Sequence, residues 1–450
     1  MNMKTKIINR IPLTALLAGL LLFPAQIRGD SFPEELITQA KEFVDLLTKE
    51  EFAKAVENFD NVMTKAMPKE KLKEVWQAVI QQAGQLKKQK GTRTETLAEY
   101  DIVYVICEFE KGALDIKVVF NREKQITGLW FAPAQKNYTS PDYAKLSSFN
   151  EKEVVVGSGE WALPGTLTLP PGKKTCPAVV LVHGSGPNDR DESIGPNKPF
   201  RDLAWGLASR GIAVLRYEKR TKAHGRKLKD FKGNFTVKEE TVDDALAAVE
   251  LLRGLKGIEA QKIFVLGHSL GGMLIPRIGL RDPDIAGFII LAGATRSVEE
   301  AILEQSGYII MLDGKTTESE KARLDEIQKA VEKIRNLKES DLHSEKENLL
   351  GAPPEYWLDL RDYDPPETAK RLRQPMLILQ GGRDYQVTEK DFENWKKSLS
   401  SRRDVTFKLY PDLNHLFIAG KGKPAPSEYS RAGHVDKQVI DDIAAWIENS

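Results

Sequence analysis

The chain has 450 residues, 41% apolar and 29% charged, enough for two or three folded domains with a sizeable core. Its 66 basic and 65 acidic side chains leave a net charge of +1, which offers no electrostatic footprint for a nucleic acid or an anionic membrane. Only two cysteines occur, Cys107 and Cys176, so no disulfide framework is expected, and no Cys/His cluster has zinc-ligand spacing.

The N-terminus reads first as an address. Lys4, Lys6 and Arg10 stand in a start without acid, and Ile11–Phe23 is an apolar run of 13 residues. That is short of the roughly 20 residues needed to span a bilayer. A basic start, a short apolar run and a small residue near its end describe a secretory signal peptide over residues 1–29. The protein is therefore expected to be exported, periplasmic or secreted, without stable membrane insertion after cleavage. A retained N-terminal anchor is the alternative.

Residues 31–132 predict a small α+β domain. Leu36, Ala40, Phe43, Val44 and Leu47, then Phe52, Val56 and Phe59, recur at helical spacing. Leu72, Val75, Trp76, Val79 and Ile80 give a further helix. The period then changes to two in YDIVYVICEF, ALDIKVVFN and QITGLWFAP, which read as strands. Helices followed by an antiparallel meander suggest a cone-like sheet wrapped on helices. This order resembles the small nuclear-transport-factor-like domains that precede some exported bacterial hydrolases. Trp76 and Trp130 are expected in its core, and no catalytic constellation is visible in it. Residues 133–150, polar and with Pro141 and three serines, read as linker.

From Glu151 to Ser450 the pattern is strand–helix alternation. CPAVVLVHG, GIAVLRYEKR, KIFVLGHS, GFIILAG, PMLILQG and VTFKLYP are near-continuous apolar runs. Strands apolar at every position are buried on both faces, which predicts a doubly wound, mostly parallel sheet covered by helices. Residues 294–374 break the alternation. A connection that long needs its own structure, and Leu324, Ile327, Val331 and Ile334 predict a helical cap insertion over the strand ends.

Within this α/β unit, KIFVLGHSLGG places Ser269 in a G-x-S-x-G turn. The pattern is weak alone, but here it follows an apolar strand and opens a helix, which is the context that gives it meaning. Pro276 is expected to kink that helix. A serine hydroxyl needs a base, and the base needs an orienting carboxylate. In this fold the order is Ser, acid, His. His415 follows the last strand and is the expected base, with His434 as fallback. Asp384 follows LILQGG and is the expected acid, with Asp412 and Asp364 as fallbacks. His183 sits in a loop before the serine, and His268, at the variable position of the turn, is expected to point away. A developing oxyanion needs backbone N–H donors, expected from Leu270 and from Ser185 in the loop HGSGPNDRDE. Asp189, Arg190 and Asp191 are expected to form an internal salt-linked turn.

HGSGPNDRDE, RYEKR, GHSLGGM, YWLDLRDYDP and LILQGGRDYQV together resemble the α/β-hydrolases. The resemblance covers residues 151–450 and is closest to dienelactone-hydrolase and prolyl-oligopeptidase-like esterases. It implies a serine carboxylesterase with Ser269, Asp384 and His415 as triad. The expected partner is a small-molecule ester, with no metal and no organic cofactor. Dienelactone hydrolases carry Cys at the turn where this chain has Ser, so a lactone substrate is not carried over. Two other readings stay open: a peptidase or amidase with the same triad, and a non-catalytic binding protein on a hydrolase scaffold.

Overall fold

The computed structural model describes residues 32–450, apart from 98–99, 135–137, 173–174, 230, 232–233 and 344–347. The expected signal peptide lies outside the described residues. None of the described helices is long and apolar enough to cross a membrane.

Two sheets form. The first has four antiparallel strands in sequence order: β1 (Leu86–Leu97), β2 (Tyr100–Phe109), β3 (Gly112–Phe120) and β4 (Ile126–Pro133). One of its faces packs on the helices Glu34–Thr48 and Lys69–Ala83 through Val103, Val105, Cys107, Ile116 and Val118. The sequence reading finds three of the strands and misses β1. LKKQKGTRTETL carries no apolar alternation, because β1 is a polar edge strand held by pairing to β2. Trp76 is buried as expected, whereas Trp130 is 41% exposed. Trp130 points to the opposite face of β4, where its ring lies against Gly128 and under the Lys117 ammonium, 5.2 Å from the centroid.

The second sheet has eight strands: β5 (Asn150–Val156), β6 (Leu163–Leu169), β7 (Cys176–Val182), β8 (Ala213–Tyr217), β9 (Ile258–His268), β10 (Gly287–Leu291), β11 (Met376–Gly381) and β12 (Val405–Tyr410). Their spatial order is β12-β11-β10-β9-β7-β8-β6-β5. The pairs from β8 through β7 and β9 to β12 are all parallel, while β6 pairs antiparallel with both β8 and β5. Alternate residues of one strand serve two separate cores. Val179, Leu181, Phe264, Leu266, Ile289 and Leu377 belong to one apolar cluster. Ala178, Val180, Ile263, Val265, Ile290 and Ile378 belong to the other. This is why the runs are continuously apolar rather than alternating.

From β7 the chain steps to β8 on one side and returns to β9 on the other. The connections therefore diverge between β7 and β9, and ligands of open α/β sheets bind beyond the strand ends at such a point. The insertion is helical, with Val298–Ile310, Glu318–Asn336, Pro354–Leu360 and Pro365–Ala369. Ile334, Leu337, Leu349, Tyr356, Trp357 and Leu360 join the same apolar cluster as Leu270 and Met273 at the serine turn. The helix Leu270–Arg281 runs on through Pro276. One turn before Pro276, the Met273 carbonyl accepts from the Tyr363 hydroxyl at 2.7 Å.

The expected linker is fastened to the unit of the eight-stranded sheet. Tyr138 donates to Asp202 Oδ1 at 2.6 Å, Tyr143 donates to the Val435 carbonyl at 2.7 Å, and Phe149 stacks on Trp205. Cys107 and Cys176 are both buried, one in each unit, and no disulfide joins them.

Candidate active site

β9 ends at His268 and the next helix begins at Leu270. Ser269 alone makes the turn, at φ 55° and ψ −116°. A non-glycine residue there carries roughly 1–3 kcal/mol of backbone strain. Its N–H donates to the Leu291 carbonyl, and its own carbonyl accepts from Met273 N–H, both at 2.9 Å. The flanking glycines are required by space. A Cβ on Gly267 would stand 2.3 Å from the Gly271 carbonyl oxygen, and one on Gly271 would stand 2.3 Å from the Val182 oxygen.

Asp384 follows β11 and His415 follows β12, and both are buried. His415 Nδ1 lies 2.6 Å from Asp384 Oδ2. The other carboxylate oxygen accepts from the N–H groups of Gln386 and Val387 at 2.8 and 3.0 Å. Those bonds fix the carboxylate, which in turn fixes the imidazole. Two of the three fallback residues are engaged elsewhere, and Asp412 is exposed. Asp364 caps the helix Pro365–Ala369, and His434 pairs with Asp202 at 3.1 Å.

The loop after β7 comes against the serine. A Cβ on Gly184 would stand 3.1 Å from Ser269 Cβ. The N–H of Ser185 is next along this loop, and the N–H of Leu270 opens the helix. Among the described residues neither N–H has a hydrogen-bond partner, and the first N–H groups of a helix have none within it.

Two expectations are corrected at this point. The Asp189–Asp191 turn is not salt-linked to itself. Asp189 Oδ1 accepts from the backbone of Asp191 and Ser193. Arg190 reaches Glu218 and Glu153, and Asp191 reaches Lys198, Arg201 and Arg216. The turn is thereby riveted to β5, β8 and the helix Pro199–Ala208. His268 does not point away either. Its ring centroid is 4.6 Å from that of His415, and its Nε2 donates to the His415 carbonyl at 2.9 Å. The reason is Glu192, whose Oε2 lies 2.9 Å from His268 Nδ1.

Sequence reasoning gave Glu192 and Lys219 no role and expected His268 to point away. Glu192 ends the quoted motif HGSGPNDRDE, so the signal was present, but nothing in the sequence says what it faces. Burial disfavours the charge on both members of the pair. Burial would push His268 down, but the Glu192 carboxylate, helped by the His415 carbonyl, outweighs it and holds the imidazole above its usual range. Burial would likewise raise Glu192, and His268 with the Gly184 N–H holds it below the ordinary carboxylate value. His183 lacks such a partner. Burial pushes it down to about 4, with its Nε2 on the Asp189 carbonyl at 3.1 Å.

Beside Asp384 an aromatic wall is built. Tyr385 stacks on Tyr308 at 5.1 Å and 11°, and on Tyr429 at 6.2 Å and 27°. Tyr308 comes from the cap insertion.

Residues 40–129 match a family described only as a protein of unknown function. Over 406 residues the chain is 41% identical to esterase EstD of Thermotoga maritima, covering 90% of this chain and 93% of that one. Solved structures are more distant. Est1E from Butyrivibrio proteoclasticus is 15% identical, covering 66% of this chain and 99% of that one, with a TM-score of 0.44. The acylaminoacyl peptidase of Pyrococcus horikoshii is 14% identical, covering 80% and 56%, with a TM-score of 0.45. Residues 173–421, from just before β7 to past His415, match the family model described as serine aminopeptidase, S33. The chain belongs to the serine aminopeptidase S33 family of α/β-hydrolases.

Proposed function

We propose that this protein is a serine carboxylesterase acting on esters of small to medium acyl chains through Ser269, His415 and Asp384. The observation that carries the reading is the buried His415–Asp384 pair at 2.6 Å, at the strand ends that also present Ser269 on its strained turn. The 41% identical relative is an esterase by name, which supports ester rather than amide chemistry.

In this reading Ser269 Oγ attacks the ester carbonyl carbon while His415 Nε2 takes its proton. Asp384 accepts from Nδ1–H, which fixes the productive tautomer and stabilises the imidazolium. The carbonyl oxygen becomes an oxyanion, met by the N–H groups of Ser185 and Leu270. The C–O bond to the alcohol breaks, and His415 returns the proton to the leaving oxygen. Water, deprotonated by His415, then attacks the acyl-serine, and the acid is released with the Ser269 hydroxyl restored.

The test is hydrolysis of p-nitrophenyl esters, acetate to laurate, by the full chain and by Ser269→Ala. Loss of roughly 10⁴-fold or more in kcat in the variant is expected. A Ser269→Ala enzyme as fast as the parent overturns the reading. Turnover of aminoacyl p-nitroanilides with none of the esters moves the protein to the aminopeptidases that its family is described by.

A further inference from the structure

Gly184 has both backbone polar groups taken by buried ions. Its N–H donates to Glu192 Oε1 at 2.7 Å, and its carbonyl accepts from Lys219 Nζ at 2.8 Å. Lys219 stands two residues beyond β8. Its ammonium is 3.1 Å from Glu240 Oε1, and Glu240 Oε2 accepts from the hydroxyl of Tyr356, in the cap insertion, at 2.8 Å. On the other side Glu192 continues through His268 to the His415 carbonyl. Lys219, Glu192, Glu240 and His268 are each at most 5% exposed. A continuous buried polar chain therefore runs from the cap, through the loop after β7, to the backbone of the base.

Burying such ions costs several kcal/mol each, and apolar residues of the same volume often give a fold of equal stability. Two local distortions accompany the chain. Glu192 holds φ 51°, uncommon for a non-glycine residue, and Glu240 lies in the π-helical turn Lys238–Val242. Strain of this kind persists only where the surroundings impose it.

We propose that Lys219 and Glu192 are positioning residues that hold the oxyanion donor of Ser185 in register with the base. The inference rests on the triad reading above. A peptide unit is planar and trans, so the Gly184 carbonyl and the Ser185 N–H point in opposite directions from one rigid plane. Lys219 on the carbonyl fixes the direction of that N–H. Its charge also polarises the peptide and strengthens the N–H as a donor in a dry site. Glu192 anchors the preceding N–H, and through His268 it ties the same loop to the main chain of His415. One ionic frame thus sets the distance between the group that stabilises the oxyanion and the group that moves the proton.

The test uses the full chain with Lys219→Met, Glu192→Gln and Tyr356→Phe. It reads kcat, KM and the inhibition constant of a trifluoromethyl ketone that mimics the tetrahedral intermediate. Lys219→Met and Glu192→Gln should each lower kcat by roughly 10- to 100-fold, with KM within about threefold. Analogue affinity should weaken in step with kcat/KM. The double variant should lose less than the product of the two, because both act on one peptide. Tyr356→Phe, the mildest change, should lose about two- to fivefold in kcat in the same pattern, and it decides the matter if the charged variants do not fold. Folded variants with parental kcat and analogue affinity overturn the proposal, and so do losses confined to KM. Ser269→Ala is run beside them. If it is inactive while the three variants are fully active, only the positioning role fails. If it is active, the triad reading fails first.

Discussion

His183 and His268 are both buried against the floor of the candidate site, and their charges are pushed in opposite directions. His268 has a carboxylate beside it, whereas His183 has a carbonyl. The folded state holds His183 neutral down to about pH 4, while an unfolded imidazole binds its proton near 6.5. Between those values the unfolded chain carries the extra proton. Stability that is present above about pH 6.5 is therefore lost as the pH falls toward 4. His268 contributes with the opposite sign, and its share fades as the pH rises through its raised value. Urea midpoints of the parent and of His183→Asn should separate on acidification, the parent losing more between about pH 7 and 4.5, by on the order of 2 kcal/mol. Parallel curves would show that His183 is protonated in the native protein. At this scale Ser269, Asp384 and His415 were legible because each follows an apolar strand in chain order. Glu192, Lys219 and His268 were not, because each acts on a group from another strand's loop.

The elements join through a few buried ions. Asp391 is fully buried at the start of the helix Glu389–Leu399. It accepts from Thr295 N–H at 2.9 Å, from the Arg296 guanidinium at 2.7 Å and from Thr388 N–H at 3.2 Å. Thr295 and Arg296 begin the cap insertion, so this carboxylate is its hinge pin. Asp391→Ala would strand a largely buried guanidinium and two backbone donors, and should cost about 3–5 kcal/mol by urea unfolding. A loss under about 1 kcal/mol would mean that Glu304, the other partner of Arg296, carries the joint alone. The cap helices were readable from the stripe of Leu324, Ile327, Val331 and Ile334. Only Val331 and Ile334 of that stripe prove buried. Periodicity marks a helix, and the depth of its stripe depends on what packs there. β1 escaped for a related reason: an edge strand with two polar faces has no pattern to read.

At the scale of the whole molecule the two sheets have separate cores. The boundary falls earlier than composition suggests, since Tyr138, Tyr143 and Phe149 belong to the catalytic unit. A fragment beginning at residue 134 should unfold in one transition with parental ester turnover. One beginning at residue 150 removes three anchoring rings, including the hydroxyl on the buried Asp202, and should melt several degrees lower. Equal melting of the two fragments would show that the segment contributes nothing, and loss of activity in the longer one would place the first sheet at the substrate pocket. The sequence by itself determined the doubly wound sheet, the serine turn and the order of serine, acid and histidine. Each of these depends on residues close in the chain: an apolar run, two glycines around a serine, a turn after a strand. The tertiary structure decided which buried ions frame the site. Glu192 and His268 are 76 positions apart, and their pairing exists only because β7 and β9 lie side by side. Interactions of that kind are set by strand order, and one chain's sequence does not write its strand order in any local pattern.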